Sequence, residues 1–289
     1  MKTILYATDY SKNSVSALKY AQKLSGMLQS LLVVTHVFNY PIVTGGVVID
    51  RLPELRKQNL KTHRAKLQDF CKKHLGVQWK RMNLQIAPVE DLAILDGVLA
   101  IAADWNAELI VVGTKGESAL QDVLLGTTTK RLIKKAACPV LAIPSDTFYT
   151  APKTIVYATD FEQEDVFAIQ KTVELAQRFK SKLYLVHISN KKEYASEMQI
   201  QWFKNALAEK VTYEHLEFRQ LFSENIFKEL HSYLKEVNAD LVVMLEREKH
   251  GFLKKWFHRD LIKKMHSYGE VPLLSFNEAN LNVLDLSLS

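Results

Sequence analysis

Only two cysteines, Cys71 and Cys138, occur in the 289 residues. Two lone thiols supply no disulfide framework and no CxxC metal pair, and they suit a reducing, cytoplasmic compartment. Long apolar runs are also lacking, since none approaches the roughly 20 residues needed to span a bilayer. The chain passes from Met1-Lys2-Thr3 straight into Ile4-Leu5-Tyr6-Ala7. That is the pattern of a strand, not the apolar core and cleavage site of a signal peptide, so no membrane partner is expected. The nine histidines include no HExxH and no HxxxH, and His250, His258 and His266 recur every eight residues, which is not a ligand spacing on one helix. No metal site is expected. A GxSxG elbow and a cysteine paired with a motif-placed histidine are missing too, and no catalytic residue is assigned.

What is present describes a folded chain long enough for two domains, with 47% apolar and 24% charged residues. The net charge of +6 is uneven. Residues 1–148 carry 19 Lys/Arg against 12 Asp/Glu, and residues 149–289 carry 19 against 20. A basic first half suits a phosphate-bearing ligand or nucleic acid, and equally a solvated lysine-rich surface. No nucleic-acid-reading motif accompanies it, so nucleic acid is not the favoured partner.

An internal repeat sets the architecture. Lys2-Thr3-Ile4-Leu5-Tyr6-Ala7-Thr8-Asp9-Tyr10 recurs 151 residues later as Lys153-Thr154-Ile155-Val156-Tyr157-Ala158-Thr159-Asp160-Phe161. Ala17/Ala168, Leu24/Leu175, Ser30/Ser181 and His36/His187 keep that offset. Ala107–Val112 recurs as Ala239–Met244 at an offset of 132, so the second copy has lost about 19 residues between its second and fourth strands. Leu132-Ile133-Lys134-Lys135 recurs as Leu261-Ile262-Lys263-Lys264.

In the first copy, short apolar runs predict strands at 3–7, 31–37, 78–84, 109–113 and 139–143. Their nearly unbroken apolar character fits a parallel sheet covered on both faces. Helices are predicted over 13–28, 53–75, 89–105 and 127–136, the first with Val15, Leu18, Ala21, Leu24 and Leu28 on one face. The second copy predicts strands near 154–158, 182–188, 213–221, 241–245 and 272–276. The fold class is therefore α/β: two tandem doubly wound domains, residues 1–146 and 152–289, each a five-stranded parallel sheet of order 3-2-1-4-5 flanked by helices. Residues 145–152, with Pro144 and Pro152 beside them, form the linker.

Gly113-Thr114-Lys115-Gly116 follows the fourth strand directly, and Gly126-Thr127-Thr128 opens the next helix. Glycines let backbone N–H groups approach an anion, and a helix N-terminus adds unsatisfied donors and a positive dipole. Thr127 and Thr128 add hydroxyls, and Thr127 could serve as an N-cap. The loop is neither a Walker A loop nor GxGxxG. A tight strand exit and a helix start would need the same glycines, so this pattern by itself leaves both readings open.

Gly113-x2-Gly116-x9-Gly126-Thr127 resembles the nucleotide-binding signature of the universal stress protein family, G-x2-G-x9-G-(S/T). Ile4–Ser11 resembles the family's N-terminal segment, Val33–Val37 its second strand, and Leu132–Val140 its last helix and strand. The resemblance covers each half apart from the stretch around 38–85. It implies a cytoplasmic stress-response or signalling protein that binds ATP, AMP or ADP, with Mg²⁺ as a companion.

The resemblance also implies roles. Ala7, Thr8 and Asp9 would sit at the nucleotide, with Asp9 accepting a hydrogen bond from adenine or ribose; Ala7 stands where family members that bind nucleotide often carry proline. A helix N-cap is the other role open to Asp9. Val37 would meet the adenine edge through its backbone. Gly113, Thr114 and Gly116 would line ribose and phosphates, and Gly126, Thr127 and Thr128 would bind phosphates. Lys115 is added on charge alone.

The second half departs from the signature: Leu245 aligns with Gly113, Glu248 with Gly116, and Lys254-Lys255-Trp256-Phe257 with the Gly126-Thr127 region. Bulky side chains there, with the charges of Glu246 and Glu248, predict a domain that holds no nucleotide and serves as a structural or regulatory partner. The resemblance implies pairing of the last strands of the two halves within the chain, and it leaves a homodimer and a separate signalling partner open. Two alternatives stand beside ligand-driven signalling: a weak ATPase or self-phosphorylating enzyme using the same pocket, and an interaction module without nucleotide.

Overall fold

The computed structural model describes residues 2–39, 52–114, 125–189, 197–247 and 271–278. In the first half, strand β1 (Thr3–Ala7) leads into helix α1 (Lys12–Met27), then β2 (Leu31–Thr35), β3 (Val37–Phe38), α2 (Leu52–Leu75), β4 (Leu84–Ile86), β5 (Val89–Glu90), α3 (Ile94–Asp104), β6 (Leu109–Gly113), α4 (Thr127–Lys135) and β7 (Val140–Ile143). The second half contains β8 (Thr154–Ala158), α5 (Gln163–Phe179), β9 (Lys182–Ser189), α6 (Glu197–Lys210), β10 (Leu216–Phe222), α7 (Ile226–Glu236), β11 (Leu241–Glu246) and β12 (Leu273–Asn277).

These strands build one ten-stranded sheet in the order β10-β9-β8-β11-β12-β7-β6-β1-β2-β4. Each half contributes five strands in the order 3-2-1-4-5, all parallel within the half. The two sets meet at β7 and β12, which run antiparallel with Leu141 opposite Leu274. Strand residues alternate between two cores. Ile4, Tyr6 and Val34 pack under α1 and α2, with Ile155, Tyr157 and Leu185 under α5 and α6 on the same face. Leu5, Val33 and Ile110 pack on the opposite face under α3 and α4. Burial on both faces explains the nearly unbroken apolar runs. Where α1 and α5 meet over the β7–β12 seam, an apolar cavity of about 30 Å³ remains, bounded in matching fashion by Leu24, Leu28 and Leu141 and by Leu175, Phe179 and Leu274.

Two sequence expectations are corrected. The strand expected at 78–84 is a 3₁₀ turn, Val77–Arg81, followed by β4. Gly76 adopts φ 79°, and the backbone bonds Trp79 N–H to Gly76 O and Met82 N–H to Trp79 O close a turn that buries Trp79. Trp79, Met82 and Leu84 give the segment the apolar content of a short strand. The helix expected over 89–105 begins only at Ile94, because Val89 and Glu90 pair with Val37 and Phe38 in a separate two-stranded ribbon. The Asp91 carboxylate then accepts the Ala93 N–H at 2.9 Å and turns the chain into α3.

Candidate functional site

The winding of the first half reverses between β1 and β6, and ligands of doubly wound sheets bind beyond the carboxyl ends of strands at such a point. Ala7 pairs with Thr35, and Tyr6 with Val111, so Thr8 and Asp9 leave the sheet beside Gly113. Hydroxyls shape the turn that follows. The Thr8 N–H donates to Thr35 O at 3.0 Å, and Thr8 Oγ1 accepts the Tyr10 N–H at 3.0 Å. Ser14 Oγ donates to Ser11 O at 2.8 Å, which leaves Thr8 Oγ1 as donor in its 2.9 Å contact with Ser14 Oγ. The Tyr6 hydroxyl donates to Ser14 O at 2.6 Å. Asp9 is exposed and accepts the Ser11 N–H at 3.0 Å, an Asx turn; Ser11, not Asp9, is the N-cap of α1. Tyr10 holds φ 66° at the tip, and its counterpart Phe161 holds φ 59°. Bulky side chains seldom adopt that region, so both halves keep the same constrained turn.

Val37 is pinned from two sides. It pairs with Val89 in the ribbon, and α3 approaches so closely that a Cβ on Gly97 would lie 2.7 Å from Val37 Cγ1. His36, one residue earlier, points to the other face, where Nδ1–H donates to Thr8 O at 2.7 Å and the ring packs on Tyr10 at 4.3 Å. Next to it His63 of α2 stacks on Phe38 at 3.8 Å. Burial lowers the pKa of both imidazoles, and the nearby Lys66 lowers them further; for His36 the bond to Thr8 and the charge of Asp9 oppose the shift without cancelling it. His187 makes the matching bond, Nδ1–H to Thr159 O at 2.8 Å. Both histidines thus brace a turn at a strand end.

Gly113 ends β6, and its carbonyl accepts from Thr129 Oγ1 at 3.1 Å. Thr114 is buried, and its carbonyl accepts the Gly126 N–H at 2.6 Å. The mouth of β6 and the start of α4 are therefore stitched together. Gly126 is the N-cap of α4 and supplies no side chain to its first turn, while Thr127, the first helical residue, is exposed and is not the cap. The nine-residue helix thus presents its positive end beside β6. Lys115 and Gly116 lie outside the described residues. The structure gathers Ala7, Thr8, Asp9, Val37, Gly113, Thr114, Gly126, Thr127 and Thr128 at one edge of the sheet.

The second half builds the same edge with different chemistry. Asp165 stands where the first half has Ser14, and it is almost fully buried. It accepts from Tyr157 OH at 2.8 Å, Thr159 Oγ1 at 2.8 Å and the Asp160 N–H at 3.1 Å. Arg247, which follows β11 as Lys115 follows β6, is also buried. Its Nη2 lies 2.9 Å from Asp165 Oδ2, its Nη1 3.5 Å from Asp160 Oδ2, and its Nε 3.6 Å from Glu162 Oε2. Burial alone would lower the guanidinium's pKa, but Asp165, Glu162 and Asp160 together raise it, so the group stays charged. Leu245 packs in the core, and Glu246 lies 3.8 Å from Lys134 of the first half. Glu248, Lys254, Lys255, Trp256 and Phe257, and with them His250, His258 and His266, lie outside the described residues.

Sequence reading missed Asp165 and Arg247, although the repeat offsets place them opposite Ser14 and Lys115. It also missed His63, for which no sequence signal stands out. Among the described residues no cluster of His, Cys, Asp or Glu could hold a metal, and no helix is long and apolar enough to cross a membrane.

Parallel strands in the order 3-2-1-4-5, repeated in each half and covered by helices on both faces, define a tandem doubly wound α/β protein. The model of the universal stress protein family matches residues 1–144 and again residues 152–259, and the chain belongs to that family. Two universal stress proteins of Methanocaldococcus jannaschii are similar to it: one is 25% identical over 155 residues, covering 49% of this chain and 94% of the relative. The other is 30% identical over 149 residues, covering 49% and 81%. Each therefore spans about half of this chain. A universal stress protein structure from Archaeoglobus fulgidus aligns over 95% of this chain and 98% of its own with a TM-score of 0.66 at 15% identity, which is a likeness of fold.

Proposed function

We propose that the first half binds an adenine nucleotide, ATP in its favoured form, and that the second half holds none and acts as its partner in a stress-signalling protein. The observation that carries this reading is the contrast between the two sheet edges. In the first half α4 opens on Gly126 with no side-chain cap, beside Gly113 and the turn bearing Asp9. Phosphate oxygens fit the first-turn N–H groups of Thr127 and Thr128 and their hydroxyls. Asp9 and the backbone of Val37 suit the ribose and base. Lys115 and Gly116 complete the set by sequence, and Mg²⁺ would travel with the phosphates. In the second half, Asp160, the counterpart of Asp9, already faces Arg247. Occupancy would alter partner choice only to the extent that two conformations of the protein differ in nucleotide affinity.

Calorimetric titration of ATP with Mg²⁺ into nucleotide-free protein and a Gly126→Trp variant tests this. One site per chain, lost in the variant, is the expected result. An absence of binding overturns the nucleotide reading, and two sites per chain overturn the division of labour.

A further inference from the structure

The second half reaches across the β7–β12 seam and takes hold of α4 by its C-terminal turn. Glu246 of β11 and Asn277 of β12 are neighbours in register, both 4% exposed. Asn277 Nδ2 donates to Ile133 O and to Ala136 O, each at 2.9 Å, so both amide hydrogens are used on the first half's helix. Carbonyls at a helix end carry partial negative charge and lack intrahelical partners, which makes an amide donor a fitting cap. Glu246, in register beside Asn277, holds Lys134 of the same turn at 3.8 Å. Glu246 is followed directly by Arg247, whose guanidinium is tied to Asp160 and Asp165 in the β8–α5 turn. A continuous path of two consecutive residues thus links the second half's strand-end turn to α4.

The opposite end of α4 is Gly126-Thr127-Thr128. The helix has nine residues, about 13 Å at 1.5 Å per residue, and at that length it moves as a rigid rod. We propose that Asn277 and Glu246 are positioning residues that set where the first half's phosphate cradle stands, and that this is what the second half contributes to nucleotide binding. The proposal rests on the nucleotide reading for its ligand, whereas its mechanical part, the clamping of α4, is independent of any ligand.

The test compares wild type, Asn277→Leu and Glu246→Gln by ATP titration and by native-state hydrogen exchange. Asn277→Leu keeps the volume and removes both donors; Glu246→Gln keeps the shape and removes the charge that Lys134 balances. Coupling between sites commonly amounts to 5–150-fold, and about tenfold weaker ATP binding is expected for Asn277→Leu, with a smaller loss for Glu246→Gln. Exchange should accelerate at Lys130 and Arg131, near the cradle, as well as at Ala136 beside the substitution. Wild-type affinity in an Asn277→Leu protein whose Ala136 amide exchanges faster would reduce the bond to a local cap and overturn the proposal. If Asn277→Leu does not fold, Glu246→Gln carries the same two readouts. If wild type takes up no ATP, the nucleotide reading fails, and exchange at Lys130 and Arg131 decides the clamp: acceleration in the variant supports it and unchanged rates refute it.

Discussion

Replacing Arg247 with methionine removes a buried cation from among three carboxylates while keeping much of the side chain's apolar bulk. Arg247 is 5% exposed and Asp165 1%, so the pair between them is scarcely screened by solvent, whereas Glu162 at 46% is well hydrated and counts for little. Leaving one partner of a buried ion pair costs about 3–5 kcal/mol. Asp165 keeps its bonds from Tyr157, Thr159 and the Asp160 backbone, which hold a lone carboxylate in part, so the lower end, about 3 kcal/mol, is expected. Urea unfolding followed by far-ultraviolet circular dichroism measures the loss. The double variant Arg247→Met/Asp165→Ser, which restores the hydroxyl present in the first half, should recover all but about 1 kcal/mol, because charge and countercharge leave together. A single-variant loss below about 1 kcal/mol, the worth of a solvated surface pair, would mean that the guanidinium does not close that edge of the sheet.

Three further outcomes follow from particular contacts. Gly97→Ala should cost stability despite alanine's better helix propensity: about 1 kcal/mol of propensity is gained against roughly 1–3 kcal/mol of overpacking on Val37 and Asp91, and ATP affinity should fall with Val37 displaced; thermal unfolding and titration check both. His36, His63 and His74 have pKa values lowered by burial, so the unfolded chain takes up protons before the folded one does. Stability from these groups is complete above the ordinary value of 6.5 and is lost as pH falls below it towards the lowered values. A plot of Tm against pH should therefore slope downward on the acid side, less steeply in His63→Phe; a flat profile in wild type would refute the shifts. Leu28→Phe, which copies Phe179 at the matching position across the seam cavity, should stabilise the protein by about 0.5–1 kcal/mol; a loss would show that the cavity cannot take the extra ring carbons.

The repeat, the strand order and nearly all element positions are legible in the sequence because burial on both faces of a parallel sheet leaves uninterrupted apolar runs between amphipathic helices. The 78–84 segment is misread for a physical reason: Trp79 and Met82 are apolar because they cover the end of the core from a turn, and apolar content alone does not distinguish that from a strand. Local signals also miss what Asn277 does. Its partners Ile133 and Ala136 lie 144 and 141 residues away, on the other half of the molecule, and neither periodicity nor motif spacing carries information over that separation. The glycines of the first half are legible because their chemistry resides in backbone geometry and spacing. The Arg247 cluster is opaque because its meaning depends on burial: an arginine opposite Lys115 looks like a conservative exchange until Asp165 is seen to be enclosed.

That dependence can be turned into a test of why the two edges differ. Tyr6 and Thr8 in the first half, and Tyr157 and Thr159 in the second, surround one position, occupied by Ser14 in the first half and Asp165 in the second; Tyr6 bonds the Ser14 carbonyl, whereas Tyr157 bonds the Asp165 carboxylate itself. A hydroxyl there leaves the turn neutral, whereas a carboxylate demands a cation within the enclosed space, which Arg247 supplies at the cost of filling it. Ser14→Asp should therefore push the first half towards the character of the second. Ser14 is 3% exposed, and a carboxylate at that depth without a built countercharge should cost about 1–3 kcal/mol even with Thr8 donating to it, since the Tyr6 hydroxyl is already spent on the Ser14 carbonyl. On the proposed reading it should also weaken ATP binding by more than the isosteric Ser14→Asn, since the added negative charge stands at the turn that bears Asp9. Calorimetry on the two variants separates charge from shape. Equal affinities for Ser14→Asp and Ser14→Asn would show that the charge at this position has no bearing on nucleotide binding, and the explanation of the asymmetry through Asp165 would fall.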